Sequence, residues 1–429
     1  MLVESWLCRA ARTRPDGAAL RSADGTLTYA ELDVAASVAS RRLSALGVRA
    51  GDHVGLALPA RAPFVETLQG CMRLGAVAVP VDLRLTEIER AARVGGCALL
   101  VDAPLDGAQD RDAPLLATHD LAAAAIVVHT SGTTAAARPV ALTYGNWLWS
   151  ALGSAVALGC DEHERWLCTL PLSHVGGLSI LLRSTIYATT AVLHEGFDAA
   201  AAVKELDERR ATLVSVVSTT LARLLDAGLR HPPALRAALV GGGPIAPALL
   251  ERAAAAGVPT VTTYGLTEAC SQVTTGGPAL FCTRVRIGDG GEILVSGPTV
   301  APGAVRPDGW LHSGDLGELD AVGNLTVTGR AADTIVTGGE NVAPAEVEAV
   351  LTSHPAVADA AVHGSPDEQW GERIVATIVR RPETTATAQE LARYCAVRLA
   401  RYKVPKVFRF SPDLPRTQSG KLLRRDLED

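Results

Sequence analysis

Short β-branched runs alternate with helical stretches along most of this sequence. The runs predict buried strands over residues 53–59, 125–130, 213–218, 236–242 and 258–265. Two of the helical stretches cover residues 29–47 and 64–75. Strands that alternate with helices indicate a mostly parallel sheet with helices on both faces. Ligands of such folds bind in loops beyond the carboxyl ends of the strands, so a site is expected there.

The sequence changes character near residue 330. Residues 329–351 predict a turn, a strand, a glycine-rich loop and a helix, and residues 354–379 resemble a small α+β unit. A segment of about 100 residues is a normal size for a domain. We therefore predict an α/β fold with a large N-terminal domain, residues 1–331, of mostly parallel sheets with flanking helices. A small α+β C-terminal domain is predicted over residues 332–429.

The composition argues against several classes of protein. With 48% hydrophobic and 20% charged residues, the 429-residue chain is expected to fold. A net charge of −6 argues against a general nucleic-acid-binding surface, which needs basic charge. We expect no signal peptide and no transmembrane helix. The eight cysteines form no CxxC pair, so we expect reduced thiols in a cytoplasmic protein and no structural metal site.

A Ser/Thr/Gly loop directly follows the strand predicted over residues 125–130. Its residues are Thr130, Ser131, Gly132, Thr133 and Thr134. Hydroxyl and backbone N–H groups in such a loop can cradle phosphates, because glycine lets the backbone approach closely. Taken alone, a cluster of this kind is more often an ordinary turn.

An aromatic ring, a hydroxyl and a carboxylate occur together in residues 262–273, at the end of a predicted strand. Tyr264 can stack on a base, Thr267 can reach a phosphate, and Glu268 can hold Mg²⁺. The alternative is a strand end followed by a capped helix.

Three more charged candidates lie closer to the C-terminus. Asp315 is expected in a turn flanked by glycine, where its carboxylate suits ribose hydroxyls. Arg330 is expected to end a hairpin strand, where its guanidinium suits ribose or phosphate oxygens. Lys421 follows a Ser-Gly turn in the tail. Taken singly, each is equally compatible with a solvated surface charge.

Taken together and in order, these segments resemble the acyl-adenylate-forming, AMP-binding superfamily of acyl-CoA synthetases, peptide-synthetase adenylation domains and luciferases. The motifs are TSGTT, YGLTE, HSGD, GR..D, GGEN and PRTQSGK, and the resemblance runs from residue 26 to the C-terminus. It implies an acid–thiol ligase that uses ATP and Mg²⁺ to form an acyl-AMP with release of pyrophosphate, and then transfers the acyl group to CoA. It also implies that the small C-terminal domain is a mobile lid that rotates between the two half-reactions.

The resemblance implies a role for each motif residue. The β- and γ-phosphates would be held by Thr130, Ser131, Gly132, Thr133, Thr134 and Arg138. The adenine pocket would be formed by Gly241, Gly242, Gly243, Pro244, Tyr264 and Gly265. The remaining positions would be Thr267 at the α-phosphate, Glu268 at Mg²⁺, Asp315 and Arg330 at the ribose, and Gly338 and Gly339 in the pantetheine tunnel. Lys421 would enter the site only for adenylation, because a cation there stabilises the charge that builds on the α-phosphate.

Residues 171–199, 213–228 and 264–273 most resemble the o-succinylbenzoate–CoA ligases of menaquinone biosynthesis. His174 matches the aromatic-or-His gate beside the acid pocket of the superfamily. The substrate that this resemblance implies is an aromatic keto-diacid; one carboxylate reacts, and the other needs a polar or cationic partner. The candidate partners are Arg183, Ser179, Ser218, Ser271 and Gln272. Arg183 is equally compatible with a charge on a surface helix.

The sequence departs from the superfamily pattern at two places. After TSGTT the superfamily has Gly-x-Pro-Lys, whereas this chain has Ala135, Ala136, Ala137 and Arg138. Alanine tolerates positive φ poorly, and arginine keeps the charge of lysine but changes its geometry. The second departure is Ala332 at the hinge position, which is commonly Asp, Lys or Ser. Alanine can still change φ and ψ, so we expect rotation of the lid with altered populations.

Two other functions stay open from the sequence. The chain could be another aryl- or acyl-CoA ligase, or an adenylation enzyme that loads a separate carrier protein. It could also be a non-catalytic nucleotide-binding homologue with an impaired phosphate loop. The partners that we expect are a small carboxylic acid, ATP and CoA, with no nucleic acid and no membrane. A homodimer is left open.

Overall fold

The computed structural model describes residues 1–130, 138–243, 245–337, 340–367, 370–417 and 422–427. The strands in these ranges are β1 (Leu2–Glu4), β2 (Ala18–Ser22), β3 (Gly25–Thr28), β4 (His53–Leu56), β5 (Val77–Pro80), β6 (Leu99–Val101), β7 (Thr118–Asp120), β8 (Ala124–His129), β9 (Pro139–Thr143), β10 (Arg165–Cys168), β11 (Thr190–Leu193), β12 (Leu213–Val216), β13 (Ala237–Val240), β14 (Thr260–Leu266), β15 (Ser271–Thr275), β16 (Arg284–Ile287), β17 (Glu292–Ser296), β18 (Leu311–Leu319), β19 (Leu325–Arg330), β20 (Ile335–Thr337), β21 (Glu340–Val342), β22 (Val357–Asp367), β23 (Gly371–Arg380) and β24 (Val407–Phe410).

The α-helices alternate with these strands through most of the chain. They are α1 (Trp6–Thr13), α2 (Tyr29–Ala45), α3 (Ala62–Leu74), α4 (Glu87–Val94), α5 (Tyr144–Leu158), α6 (Val175–Tyr187), α7 (Ala199–Asp207), α8 (Ser218–Asp226), α9 (Pro247–Ala255), α10 (Pro344–Thr352) and α11 (Ala388–Ala396). In the part of the chain that the structure describes, no helix is long and apolar enough to span a bilayer.

A five-stranded sheet has the order β6-β4-β5-β8-β9. Its strands are parallel except for the antiparallel hairpin of β8 and β9. Helix α3 is buried along most of its length, and α2 packs against it. The two helices approach closely at Gly70, where a Cβ atom would lie 2.7 Å from the Cβ atom of Ala39. A larger residue at position 70 would therefore force the helices apart.

An eight-stranded sheet has the order β15-β14-β13-β12-β10-β11-β2-β3. Its six central strands are parallel, and antiparallel hairpins close both edges. Val216 pairs with Val240, and Val240 pairs with Thr262, so the carboxyl ends of β12, β13 and β14 lie side by side. The predicted strands and their parallel pairing are confirmed. The carboxyl ends of β12, β13 and β14 form the sheet edge at which the sequence predicted a site.

The strand predicted over residues 213–218 ends two residues early. Ser218 begins helix α8 instead. The Oγ1 atom of Thr220 accepts a 2.9 Å hydrogen bond from the backbone N–H of Val217, which removes that N–H from the strand ladder. Local side-chain capping has thus overridden the β-propensity of the sequence.

The two sheets share one hydrophobic core. A single buried cluster includes Leu56 and Ile126 of the five-stranded sheet, Leu20 and Trp166 of the eight-stranded sheet, and Leu181 of helix α6. Because these side chains are in mutual contact, the two sheets and their helices form one body.

A four-stranded antiparallel sheet, with the order β16-β17-β18-β19, follows the two parallel sheets. The expectation that Asp315 lies in a turn was wrong, because Asp315 is an interior residue of β18 and pairs with Arg330. Of the two flanking glycines, Gly314 has φ +71°, whereas Gly317 lies at a close contact between strands. A Cβ atom on Gly317 would lie 2.6 Å from the carbonyl oxygen of Thr326, so the glycine permits close strand approach at a register shift.

The last sheet has the order β21-β20-β23-β22, with β24 parallel to β23. Its buried side chains form a cluster of their own with α10 and α11, which includes Ile335, Val347, Val362, Ile374 and Leu391. This architecture is the small α+β unit that the sequence predicted. The domain boundary at residue 331 stays a prediction.

A buried histidine of β7, His119, packs against α1 and α5. The ring of His119 stacks on Tyr144 with centroids 4.3 Å apart and meets Trp6 at 5.2 Å. Its Nδ1 atom has no hydrogen-bond partner among the described residues. Burial, assisted by the charge of Arg73, lowers the pKa of His119 to about 4 from the ordinary 6.5. The ring is therefore neutral in the folded protein at neutral pH.

We predict that His119 makes the folded state sensitive to acid. Because its pKa is lower in the folded chain, the stability it contributes is full above pH 6.5 and is lost as the pH falls towards 4. His119→Phe keeps the stacked ring but removes the titration. Urea unfolding across this interval should show a loss for the wild type that exceeds the loss for the variant by about 3 kcal/mol. The exposed His163, replaced by Phe, is the control and should keep the wild-type pH dependence. An unchanged pH dependence in His119→Phe would contradict the prediction.

Candidate active site

Three glycines follow β13 at the carboxyl edge of the eight-stranded sheet. A Cβ atom on Gly241 would lie 2.7 Å from Cγ2 and 2.8 Å from the carbonyl oxygen of Thr263. Gly242 has φ +82°, a conformation that favours glycine, and a Cβ atom there would lie 3.1 Å from Val217. Gly243 has open space around its Cα atom. This turn therefore lies beside the ends of β12 and β14, the edge of the sheet at which ligands of such folds bind.

The segment from Tyr264 to Cys270 leaves the end of β14 through a bulge. A Cβ atom on Gly265 would lie 1.7 Å from the carbonyl oxygen of Ser271, so no other residue fits there. Thr267 and Glu268 are half-buried and lie in a single 3₁₀ turn. Cys270 and Ser271 then have φ values of +53° and +89°. Left-handed conformations of non-glycine residues cluster at functional sites, where the surrounding structure compensates for their strain.

Two hydrogen bonds fix this turn from outside. The hydroxyl of Ser150 in α5 donates to the carbonyl oxygen of Cys270 at 2.6 Å. The backbone N–H of Ala301 donates to the carbonyl oxygen of Glu268 at 2.7 Å. The backbone that carries Thr267 and Glu268 is thus held between α5 and the loop that connects β17 to β18.

A buried carboxylate connects β14 to the four-stranded sheet. Nε of Arg330 donates to Oδ1 of Asp315 at 2.7 Å, and the hydroxyl of Tyr264 donates to Oδ2 at 2.8 Å. Burial and the nearby Asp315 carboxylate raise the pKa of Tyr264, so its hydroxyl stays a donor. The sequence-predicted residues Tyr264, Asp315 and Arg330 are therefore in direct contact.

The predicted phosphate loop connects the hairpin strands β8 and β9. The N–H of Thr130 donates to the carbonyl oxygen of Arg138 at 3.0 Å, which closes the base of the loop. The loop residues Ser131, Gly132, Thr133, Thr134, Ala135, Ala136 and Ala137 lie outside the described residues, as do Pro244, Gly338, Gly339 and Lys421. Their roles stay predictions.

Helix α6 begins after His174 and carries Arg183 in its buried interior. His174 is half-buried, and burial lowers its pKa, so the imidazole is neutral at neutral pH. The Arg183 side chain is only 3% exposed, donates from Nη2 to Ser150 Oγ at 3.0 Å and lies 5.6 Å from the ring centroid of Trp166. Among the described residues Arg183 forms no ion pair with a carboxylate. The alternative of a surface charge was therefore wrong.

The other candidates for the acid pocket have different surroundings. Ser179 is buried and donates to the carbonyl oxygen of Val175 in its own helix at 2.5 Å. Gln272 is buried and donates to Thr275 at 2.9 Å, while its Oε1 atom has no hydrogen-bond partner in the described structure. Ser271 directly precedes Gln272 at the start of β15, and Ser218 begins α8. Arg183 is the candidate whose buried charge most requires an anionic ligand.

Sequence reasoning missed three features of this site. These are the Ser150 hydroxyl that connects Arg183 to Cys270, the hydroxyl of Tyr264 that holds Asp315, and the positive φ values at Cys270 and Ser271. Ser150 belongs to none of the motifs in the sequence, and cysteine and serine are not among the residue types that favour a positive φ. The sequence did contain a signal for the burial of Arg183. Helix α6 is apolar on almost every face, which is typical of a buried helix.

The described residues contain no group of three or more His, Cys, Asp or Glu side chains that could hold a metal ion. Mg²⁺ in nucleotide sites is commonly held by one or two carboxylates together with the phosphates of the substrate. The single half-buried carboxylate of Glu268 fits that kind of site, in which the phosphates supply the other ligands.

Comparison with known proteins agrees with this geometry. The AMP-binding enzyme family matches residues 7–115 and 99–304, and the AMP-binding enzyme C-terminal domain matches residues 346–421. The 2-succinylbenzoate–CoA ligase of Bacillus subtilis (strain 168) is 38% identical over 481 aligned residues, which cover 100% of this chain and 99% of the relative.

Solved structures of o-succinylbenzoate CoA synthetase (MenE) from Bacillus subtilis are similar over the same length. The complex with the acyl-adenylate OSB-AMP has a TM-score of 0.94 at 37% identity, with 100% of this chain and 99% of that chain covered. The complex with ATP and magnesium ion has a TM-score of 0.93 at 36% identity, with 100% of both chains covered. A double mutant bound to the product analogue OSB-NCoA has a TM-score of 0.75 at 37% identity, with 100% and 99% covered.

These similarities extend over the whole chain, and a sequence identity of 38% over that length is sufficient to assign the family. They confirm the resemblance seen in the motifs and the α/β fold with a C-terminal domain. The chain belongs to the AMP-binding enzyme family.

Proposed function

We propose that this protein is an AMP-forming acid–thiol ligase that converts o-succinylbenzoate to o-succinylbenzoyl-CoA. The observation that carries the proposal is the full-length similarity to the 2-succinylbenzoate–CoA ligase of Bacillus subtilis, at 38% identity. In the first half-reaction a carboxylate oxygen of the acid attacks the α-phosphorus of ATP, and pyrophosphate leaves. In the second, the thiol of CoA attacks the acyl carbon, and AMP leaves.

The ATP site is built from the strand ends. Asp315 accepts hydrogen bonds from the ribose hydroxyls. Because Tyr264 and Arg330 already orient its carboxylate, the side chain need not rearrange when ATP binds. The glycine turn at residues 241–243 receives the adenine, and the loop from Thr130 to Arg138 receives the β- and γ-phosphates. Mg²⁺, held by Glu268 and the phosphates, would neutralise the charge of the triphosphate.

Arg183 is the proposed partner of the carboxylate that does not react. A guanidinium buried without a carboxylate is costly, and an anionic substrate supplies the missing charge. The bond from Arg183 through Ser150 to Cys270 connects this end of the acid pocket to the turn of Thr267 and Glu268. A bound diacid would thus be aligned between a fixed cation and the α-phosphate.

We also propose that residues 1–331 and 332–429 are the two domains and that the second rotates as a lid. The TM-score of this chain to the Bacillus subtilis enzyme is 0.94 for the acyl-adenylate complex and 0.75 for the mutant complex with the product analogue. Since both are one relative, the difference supports two arrangements of the lid. The higher TM-score to the acyl-adenylate complex supports the arrangement of the adenylation step for this chain.

The cellular setting is part of the same proposal. All eight cysteines are free thiols. Because disulfides are rare in reducing compartments, this supports a cytoplasmic enzyme. The homodimer that the sequence left open stays open.

The decisive experiment measures pyrophosphate release with Mg-ATP and a panel of aromatic and aliphatic acids, each with and without CoA. We expect release with o-succinylbenzoate and formation of its CoA thioester. Release with a different acid, but not with o-succinylbenzoate, would support the ligase class and contradict the proposed substrate. Absence of release with every acid, although ATP still binds, would contradict the proposal and indicate that the alanine-altered loop has lost its function.

Arg183→Met should remove the preference for a diacid. The wild type is expected to favour o-succinylbenzoate over an analogue without the non-reacting carboxylate by roughly 10- to 100-fold in kcat/KM, because a charged hydrogen bond is lost with the analogue. The variant should show a ratio near one. The ratio is compared within each protein, so a general loss of stability does not change it. Arg223→Met, which removes an exposed guanidinium over Phe197, is the control and should keep the wild-type preference. A ratio that survives in Arg183→Met would place the second carboxylate elsewhere.

Lys421→Ala and Gly338→Trp should separate the two half-reactions. Without Lys421, acyl-AMP formation should fall by at least about 100-fold, because a positioned charge at the α-phosphate is lost, while thioester formation from supplied acyl-AMP continues. Gly338→Trp should do the reverse, since a bulky side chain would block the thiol. Single-turnover assays of each step make the measurement, with Lys204→Ala as an exposed-lysine control. Equal losses in both steps for either variant would refute its role.

A further inference from the structure

The chain end folds back onto β22. Leu414 and Leu427 are buried against Ala361, and Leu422 packs beside them. Arg416 forms an isolated β-bridge with Leu422, and the N–H of Leu423 donates to the carbonyl oxygen of Pro415 at 2.9 Å. The described residues on both sides of positions 418–421 are thus held together. These positions include Lys421, which precedes Arg424 by three residues.

Arg424 contacts three separate segments through all three of its guanidinium nitrogens. Nε donates to the carbonyl oxygen of Val362 at 3.1 Å. Nη1 donates to Oδ2 of Asp333 at 3.0 Å, and Nη2 donates to both carboxylate oxygens of Glu348 at 2.8 Å. Asp333, Glu348 and Arg424 are called the tail cluster below. The side chains of the tail cluster are 13 to 24% exposed, so solvent screens these contacts only in part.

The tail cluster connects the chain end to the turn after the proposed hinge and to helix α10. Asp333 lies directly after the proposed hinge, and Glu348 lies in α10. Oε1 of Glu348 also accepts the backbone N–H of Val362 at 2.8 Å, so the carboxylate is itself fixed. A planar guanidinium with a donor on every side suits this arrangement, whereas a lysine ammonium would reach only part of it.

We infer that Arg424 is a positioning residue for adenylation, which anchors the described residues directly after Lys421 to α10 and to the start of the C-terminal domain. The inference rests on the proposed function, because it gives Lys421 the adenylation role described above. A lysine that must reach the α-phosphate loses rate when it is misplaced by about 1 Å. Thioester formation does not use Lys421, so it does not depend on where this segment lies.

Arg424→Met tests this inference in single-turnover assays of each half-reaction. Acyl-AMP formation should fall roughly 10- to 100-fold, while thioester formation from supplied acyl-AMP stays within about twofold. Arg424→Lys should recover part of the rate of acyl-AMP formation. Arg381→Met, which removes an exposed guanidinium at the end of β23, is the matched control and should leave both steps unchanged. Equal losses in both half-reactions, or no loss in acyl-AMP formation, would overturn the inference.

Hydrogen exchange gives a second measurement that needs no acid substrate. In Arg424→Met the amide of Leu423 should exchange faster than in the wild type, while amides of β23 keep their protection. Unchanged exchange at Leu423 would overturn the inference even if activity falls. A wild-type enzyme that is inactive on every acid would refute the proposed function instead, and the exchange of Leu423 would still decide whether Arg424 holds the segment.

Discussion

The active site depends on the buried carboxylate of Asp315. Burying a charge is costly unless it is paired and hydrogen-bonded. Asp315 has one partner in the eight-stranded sheet and one in the four-stranded sheet. Tyr264 comes from the end of a parallel strand, and Arg330 is the last residue of the four-stranded sheet. The same contacts that satisfy the charge therefore join two sheets. They also orient the carboxylate that we propose as the partner of the ribose hydroxyls.

The sequence predicted β4, β8, β12, β13 and β14 because each is a short run rich in β-branched or other apolar residues. It failed where a residue's surroundings come from distant parts of the chain. Asp315 was expected in a turn because glycines flank it, yet Gly317 serves a close approach of two strands. Whether Arg183 lay on the surface or in the core depended on α5 and α6 packing together, which no local pattern reveals.

Strain and close contact are concentrated at the turn after β14. Gly265 has no space for a side chain, and Cys270 and Ser271 adopt left-handed conformations that cost about 1 to 3 kcal/mol each. The hydrogen bond from Ser150 helps to hold this turn in place, and Ser150 is in turn contacted by Arg183. The acid pocket and the turn of Thr267 and Glu268 are consequently not independent. Through Ser150, a diacid bound at Arg183 would therefore be coupled to a turn that is already strained.

One ion pair lies on each side of the proposed hinge at Ala332. Arg330 is bound to Asp315 in the four-stranded sheet, and Asp333 is bound to Arg424 of the chain end. Between them lie Ala331 and Ala332, whose small side chains are exposed. A rotation that keeps both ion pairs must therefore take place in the backbone of these two residues. Alanine adds no side-chain group that would favour one arrangement of the lid, so the balance between the two states is set by contacts elsewhere, including those that ATP and CoA make when they bind.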